Sequence, residues 1–301
     1  MASARPGFRS GFVSVVGRPN VGKSTLVNRV LGTKVSITSP RPNTTRRSVR
    51  GVLHRPDVQA VFVDTPGLHR PRTALGRRLN EHVDEALGDV DVVVAVVDAT
   101  APVGPGDRLV LRRAAGSGRQ LLVAVNKVDV ARPRQVLERL AEAHEALDEP
   151  GGDGCISTAA AAEYFPVSAT TGTGIEVLVD AVVSRLPEGP PYFPQDMVSD
   201  LPEAFWVAEL VREQLLARAR DELPHSIACR VTEWEWPRIR VEILVERSSQ
   251  KGIVIGHRGE NLKAVGTAVR RQLPPGAYLE LHVGVEKRWQ QRPEAIERLG
   301  Y

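Results

Sequence analysis

A chain of 301 residues has room for one large domain or two ordinary ones, and 42% hydrophobic with 25% charged residues is the balance of a soluble globular protein. The net charge of +4 permits an anionic partner without demanding one. Cys155 and Cys229 are too few for a disulfide framework and lack metal-ligand spacing, no basic and apolar leader opens the chain, and the longest apolar run, VDVVVAVVDA, is too short to span a bilayer as a helix, so a cytoplasmic location is expected.

From Phe12 to about Leu186, apolar strands alternate with amphipathic helices. FVSVVG reads as a strand and KSTLVNRVLG as the helix that follows. VQAVFVDTPG, VDVVVAVVDA and QLLVAVNKVD read as further strands, each ending in polar or glycine residues, and PRQVLERLAEAHEALD has helical spacing. Continuous apolar strands alternating with helices predict an α/β fold, a doubly wound and mainly parallel sheet covered on both faces. Such sheets bind ligands beyond the carboxyl ends of their strands, and that is where the polar motifs fall.

The first motif, GRPNVGKS, matches the P-loop pattern between a strand and a helix. The loop from Gly17 through Arg18, Pro19, Asn20 and Val21 to Gly22 wraps phosphates with its backbone N–H groups, Pro19 having none, aided by the dipole of the helix that starts there. Lys23 neutralises the β- and γ-phosphates, Ser24 is a Mg²⁺ ligand, and Thr25 completes the loop. The second motif, DTPG, comprises Asp64, Thr65, Pro66 and Gly67 at the end of a strand. Asp64 binds Mg²⁺, usually through water, and the Gly67 N–H faces the γ-phosphate. Leu68 follows, where many GTP-hydrolysing proteins carry glutamine. A leucine cannot orient a water by hydrogen bonding, so hydrolysis is slow or another group takes that role.

NKVD supplies Asn126, Lys127 and Asp129. A carboxylate at Asp129 accepts from the two N–H donors on one edge of guanine, which adenine lacks, and the Lys127 stem can lie along the base. VSATTGTG brings Ser168 and Ala169 to the end of the last strand, with the Ala169 N–H directed at guanine O6. Between these motifs, DEPGGDGCISTAAAAEYFP reads as a loop or lengthened connection of no assigned function. The proline-rich LPEGPPYFPQD then reads as a stiff, extended spacer. The expected division is a GTPase domain over 1–186, a linker over 187–199 and a second domain over 200–301.

In the second domain PEAFWVAELVREQLLARARDEL is helical, HSIACRVTEWEW and RIRVEILVER alternate like an antiparallel pair, and AYLELHVGVEKRW is a last strand. G-x-x-G, from Gly256 through His257 and Arg258 to Gly259, lies between an apolar, strand-like run and the helix NLKAVGTAVRRQL. Two glycines allow a tight turn that a nucleic-acid backbone can approach, and Lys251, His257, Arg258 and Lys263 add donors and charge. Arg270, Arg271, Lys287 and Arg288 are candidate outer contacts. The apolar faces of FWVAELVREQLL and the aromatics Trp234 and Trp236 read as core.

VIGxxG followed by a helix resembles the KH domain, of the α+β type II arrangement. GRPNVGKST, DTPG, NKVD and SA, in that order, resemble the translation-factor-related branch of P-loop GTPases. SITSPRPNTTRRSVRG between the first two resembles the first switch of the Era family, which makes Thr45 the Mg²⁺-binding switch threonine, with Thr44 the competing choice. The order of domains and the ending AIERLGY extend the resemblance over the chain. It implies hydrolysis of GTP to GDP and phosphate, binding to 16S rRNA near its 3′ end, a role in maturation of the small (30S) ribosomal subunit, and peripheral association with the inner face of the cell membrane. A monomer is expected. GTPases with an asparagine at the P-loop position of Asn20 often hold K⁺ there in place of an arginine finger. On this reading Lys23, Asn20, Thr45 and Gly67 serve catalysis, and Ser24, Thr45 and Asp64 serve the metal.

Overall fold

The computed structural model describes residues 7–69, 71, 73–148, 161–219 and 223–301. Cys155 and most of the glycine- and alanine-rich connection lie outside the described residues. The chain forms two compact units: 1–36, 45–70 and 79–200 make one, and 37–44, 71–78 and 201–301 make the other.

The strands of the first unit are β1 (Arg9–Gly17), β2 (Val49–Arg55), β3 (Val58–Asp64), β4 (Val92–Asp98), β5 (Gln120–Asn126) and β6 (Glu163–Pro166). Their order is β2-β3-β1-β4-β5-β6, and every neighbouring pair is parallel except β2 with β3. The apolar runs of the four central strands are largely buried, whereas the edge strands β2 and β6 are partly exposed. β2 has no counterpart in the sequence reading, because VRGVLHR mixes charge with apolar residues as an edge strand does. The helices α1 (Lys23–Leu31), α2 (Ala74–Gly88), α3 (Pro105–Gly116), α4 (Pro133–Asp148) and α5 (Ile175–Arg185) connect the strands. Four of the five parallel strands, β1, β3, β5 and β6, end next to the four motifs, so the sheet's direction gathers segments more than a hundred residues apart.

The proline-rich 187–199 stretch is irregular, with bends at 192–193 and a turn at 195–196, and it is strapped to the sheet. Gln59 accepts from the Tyr192 and Phe193 N–H groups at 2.6 and 2.9 Å and donates to the Phe193 carbonyl at 2.8 Å. Val52 N–H donates to the Val198 carbonyl at 2.8 Å, and the rings of Phe12 and Tyr192 are 4.9 Å apart. Buried and half-buried polar partners turn a spacer into part of the unit.

The second unit carries α6 (Glu203–Arg218), α7 (Leu223–Ser226), β7 (Ala228–Glu235), β8 (Arg238–Val245), α8 (Ser248–Ile255), α9 (Glu260–Arg270), β9 (Tyr278–Val285) and α10 (Pro293–Arg298). β7 is antiparallel to β8, as the alternation predicts, and β9 is parallel to β8. Leu210, Val211 and Leu215 of α6 pack on Val241 and Ile243 of the sheet and Val265 and Val269 of α9. Two expectations change. The strand-like KGIVI run is helical in α8, where Gln250 accepts from the Glu246 and Arg247 N–H groups and fixes the first turn. Trp234 and Trp236 are 38% and 52% exposed, because β7 runs past the covered part of the sheet and its last four residues all face solvent.

Candidate functional site

The P-loop leaves β1 and enters α1 through a left-handed Gly22, φ 99°. A Cβ there would lie 2.3 Å from Asn126 Nδ2, so glycine is required for space as well as conformation. Asn126 Nδ2 donates to the Val21 carbonyl at 2.8 Å, and its Oδ1 accepts from Ala169 N–H at 2.9 Å. One buried side chain thus ties the phosphate loop to the end of β6. Lys127 Nζ donates to the Asn20 carbonyl at 2.8 Å and pairs with Asp98 at 2.5 Å, which lays its stem across the mouth of the site. Asn20 is exposed, with φ 66°, a left-handed turn that asparagine tolerates. Asp129 is exposed, and one of its oxygens accepts from the buried Ser168 hydroxyl at 2.6 Å. That bond orients the carboxylate and still leaves a lone pair on the bonded oxygen, and the whole of the second oxygen, to accept from a base.

The metal candidates converge. Ser24 Oγ and Thr45 Oγ1 are 2.9 Å apart, and Thr45 Oγ1 donates to Asp64 Oδ2 at 3.4 Å. Thr44 instead donates to the Arg41 carbonyl at 2.7 Å within its own loop. Asp64 is 0% exposed and its Oδ1 has no hydrogen-bond partner. Burial pushes the Asp64 carboxyl above its usual range, against the opposing pull of the Ser24 hydroxyl and the Lys23 ammonium. An orphaned buried carboxylate oxygen beside two hydroxyls is a set of hard oxygen donors that fits Mg²⁺. Lys23, 6% exposed, donates to the Gly17 and Arg18 carbonyls at 3.1 and 3.0 Å. Burial pushes its ammonium down to about 8, partly offset by Asp64. A bound phosphate replaces those carbonyls with formal negative charge and favours the protonated form.

Thr65 Oγ1 donates to the Val15 carbonyl, and a Cβ on Gly67 would lie 2.6 Å from the Pro19 nitrogen, so the DTPG turn and the P-loop are in close backbone contact. Leu68 N–H donates to the Gly17 carbonyl at 3.2 Å, while its side chain is 3% exposed and packs with Val16, Val83 and Leu87. Its role is to anchor the turn. Leu68→Gln is therefore expected to place a polar amide in the core at a cost of about 1–3 kcal/mol, with a lower melting temperature and no gain in kcat. A faster variant of unchanged melting temperature would show that the side chain can face the phosphates.

Three contributors lie outside the motifs. Arg29 of α1 donates to the Ala169 carbonyl at 3.0 Å and to the Thr170 carbonyl, bracing the loop after β6. Asp107 of α3 pairs with the P-loop Arg18 at 2.8 Å. Asp98 holds Lys127; burial alone would raise its carboxyl, but the bonds from Lys127 and Thr100 outweigh that and hold it below the usual range. Asp98 ends an apolar strand, a signal readable in the sequence. Arg29 reads there as an ordinary solvent-facing helix residue.

In the second unit the GXXG turn joins α8 to α9. Gly256, Arg258 and Gly259 all have positive φ (77°, 49° and 80°), and a Cβ on Gly256 would lie 2.8 Å from Asn261 Cβ. Asn261 Nδ2 donates to the Val254 carbonyl at 2.9 Å and closes the turn. His257, Arg258 and Lys263 are exposed and Lys251 is half-buried. The arrangement offers a glycine-lined backbone with cations around it.

A parallel sheet with a P-loop, an Asp-terminated strand and a guanine-selective carboxylate, in one chain with a helix–GXXG–helix unit, defines a P-loop GTPase carrying a KH domain. Family models agree: residues 12–127 match a 50S ribosome-binding GTPase model and residues 222–290 a KH domain. GTPase Era of Nocardioides sp. is 46% identical over 99% of this chain and 97% of its own, and that of Mycobacterium avium is 45% identical over 98% and 99%. Among solved structures, Era bound to MgGDPNP and nucleotides 1506–1542 of 16S ribosomal RNA matches with a TM-score of 0.89 at 37% identity, covering 98% of this chain and 99% of its own. A variant of Aquifex aeolicus Era bound to GDP·AlF4⁻ also matches at 0.89, with 36% identity and the same coverage. The chain belongs to the Era family of GTPases.

Proposed function

We propose that this GTPase is a molecular switch that binds 16S rRNA near its 3′ end and acts in maturation of the 30S subunit. The observation that supports this reading most is the pairing, in one chain, of a complete guanine-nucleotide site with a GXXG turn, in the same order as the Era that holds a GTP analogue and a 16S rRNA fragment. In the site, Ser24, Thr45 and Asp64 would hold Mg²⁺, which when bound neutralises charge on the β- and γ-phosphates. Lys23 adds positive charge there, Gly67 offers its N–H to the γ-phosphate, and Asp129 reads guanine; the Ala169 N–H, expected at guanine O6, is held instead by the Asn126 side chain. GTP favours the ordered Thr45 and Gly67 segments, and loss of the γ-phosphate releases them. The RNA contacts fall to Gly256, His257, Arg258, Gly259, Lys251 and Lys263. Binding of a 16S 3′-end oligonucleotide, against a scrambled one, in the GTP-analogue and GDP states tests the reading. Equal affinity for the two sequences in both states would overturn it.

With Leu68 committed to the core, the exposed Asn20 is the residue we assign to K⁺, which would supply the kind of charge that an arginine finger supplies in other GTPases. Hydrolysis is expected to be about tenfold faster in K⁺ than in Na⁺ buffer, and Asn20→Ala to abolish the difference. Equal rates in the two buffers would sink the assignment. The chain would act as a cytoplasmic monomer with peripheral attachment to the membrane. Among the described residues no helix is long and apolar enough to cross a membrane.

A further inference from the structure

Helix α6 combines two faces of opposite chemistry, and both are buried. Val207, Leu210, Val211 and Leu215 pack in the second unit's core. Glu209, Arg212 and Glu213, at i, i+3 and i+4, share the other side, and each is buried too. A charged stripe on a helix is ordinarily a solvated face, so its burial calls for a partner.

The partner is the loop 37–44, which belongs to the same compact unit as 201–301. Glu213 accepts from the Thr38 N–H at 2.9 Å, and Arg41 donates to the Ala219 carbonyl at 2.9 Å. Arg212, 0% exposed, donates from Nε to Glu209 Oε1 at 2.7 Å, and from Nη2 both to Glu209 Oε2 and to the Thr44 carbonyl. Three side-chain bonds therefore fix this loop at its start, middle and end. The Thr44 carbonyl belongs to the peptide whose nitrogen is that of Thr45. Because that peptide is planar, holding the carbonyl sets the direction in which Thr45 leaves. Thr45 is the residue whose hydroxyl stands 2.9 Å from Ser24.

We propose that Arg212 is a positioning residue for GTP hydrolysis: it fixes the Thr44 carbonyl and thereby pre-orders Thr45 for the γ-phosphate and its metal. Stability alone is a poor account of the pair. A buried ion pair is often no more stable than well-packed apolar residues in its place. The bond to a carbonyl one residue from the switch threonine gives a second use. An anchored loop loses less entropy when the triphosphate orders it, and GDP, which has no γ-phosphate, gains nothing from the anchor.

The difference between the two nucleotides makes the test. The double variant Glu209→Met/Arg212→Met removes the pair without leaving an unpaired buried charge. Its kcat and its affinity for a non-hydrolysable GTP analogue are each expected to fall about tenfold, the loss of a hydrogen bond from a charged donor, while GDP affinity stays within twofold. Arg212→Lys, which keeps the charge but not the planar fork, is expected to lie between, and it carries the test alone if the double variant does not fold by circular dichroism. Equal loss of GTP-analogue and GDP affinity, or kcat within twofold of the parent, would overturn the inference. The proposal rests on Thr45 as the switch threonine, so Thr45→Ala is measured beside it. Full activity in Thr45→Ala removes both claims, whereas a crippled Thr45→Ala beside unaffected Arg212 variants removes only the role of Arg212.

Discussion

Asp129→Asn is expected to move the base preference of this GTPase from guanine to xanthine. Guanine presents two donors on one edge, N1–H and the C2 amino group, and a carboxylate accepts both. An amide keeps one acceptor and replaces the other with an NH₂ donor, which opposes the C2 amino group and matches the C2 carbonyl of xanthine. The Ser168 hydroxyl, bonded to one Asp129 oxygen at 2.6 Å, holds the side chain in the same orientation in either case. A site built to pair with polar base edges rejects a mismatch strongly, because the buried groups are left unpaired. We expect GTP kcat/KM to fall about a thousandfold and hydrolysis of xanthosine triphosphate to rise above it. Phosphate release with the two nucleotides, in parent and variant, decides the matter. A variant that loses both would mean that Asp129 supports the loop without reading the base.

The second large effect belongs to the GXXG turn. His257→Asp/Arg258→Asp places two carboxylates where an RNA backbone would pass. Both positions are exposed and the turn geometry rests on Gly256, Gly259 and Asn261, so the fold is expected to survive. Repulsion of the phosphates and loss of the counterions once released there are expected to weaken binding of a 16S 3′-end oligonucleotide about a hundredfold at 0.15 M salt, with a shallower salt dependence. GTP hydrolysis without RNA should stay within twofold of the parent. Unchanged RNA affinity would place the binding surface elsewhere on the molecule.

Much of this site is legible as text because its parts are local. Gly17 to Ser24, Asp64 to Gly67, Asn126 to Asp129 and Gly256 to Gly259 are short runs whose backbone shape follows from glycine, from the strand before and from the helix after. The parallel order of the strands follows from apolar runs separated by helices, and it gathers the first three motifs without any knowledge of side-chain contacts. The edge strand β2 is harder to read, because Val49–Arg55 carries charge at an edge that solvent partly covers. KGIVI is harder again, since a five-residue apolar run has the same composition in a helix as in a strand and only its packing against α9 and the sheet separates them.

The sequence by itself determined the chemistry of the nucleotide and RNA motifs, since those residues act through groups carried on contiguous backbone. Only the tertiary structure decided which groups serve that chemistry from a distance. Leu68 turns into the core with Val16 and Val83 and so becomes an anchor. The 187–199 stretch is bound by Gln59 and is no longer a free spacer. It is Thr45, not Thr44, whose hydroxyl lies beside Ser24. Arg212, one charge among many in the sequence, meets the Thr44 carbonyl only after the chain has folded 168 residues back on itself. Such facts depend on which surfaces exclude water together, and burial couples residues that no local pattern connects.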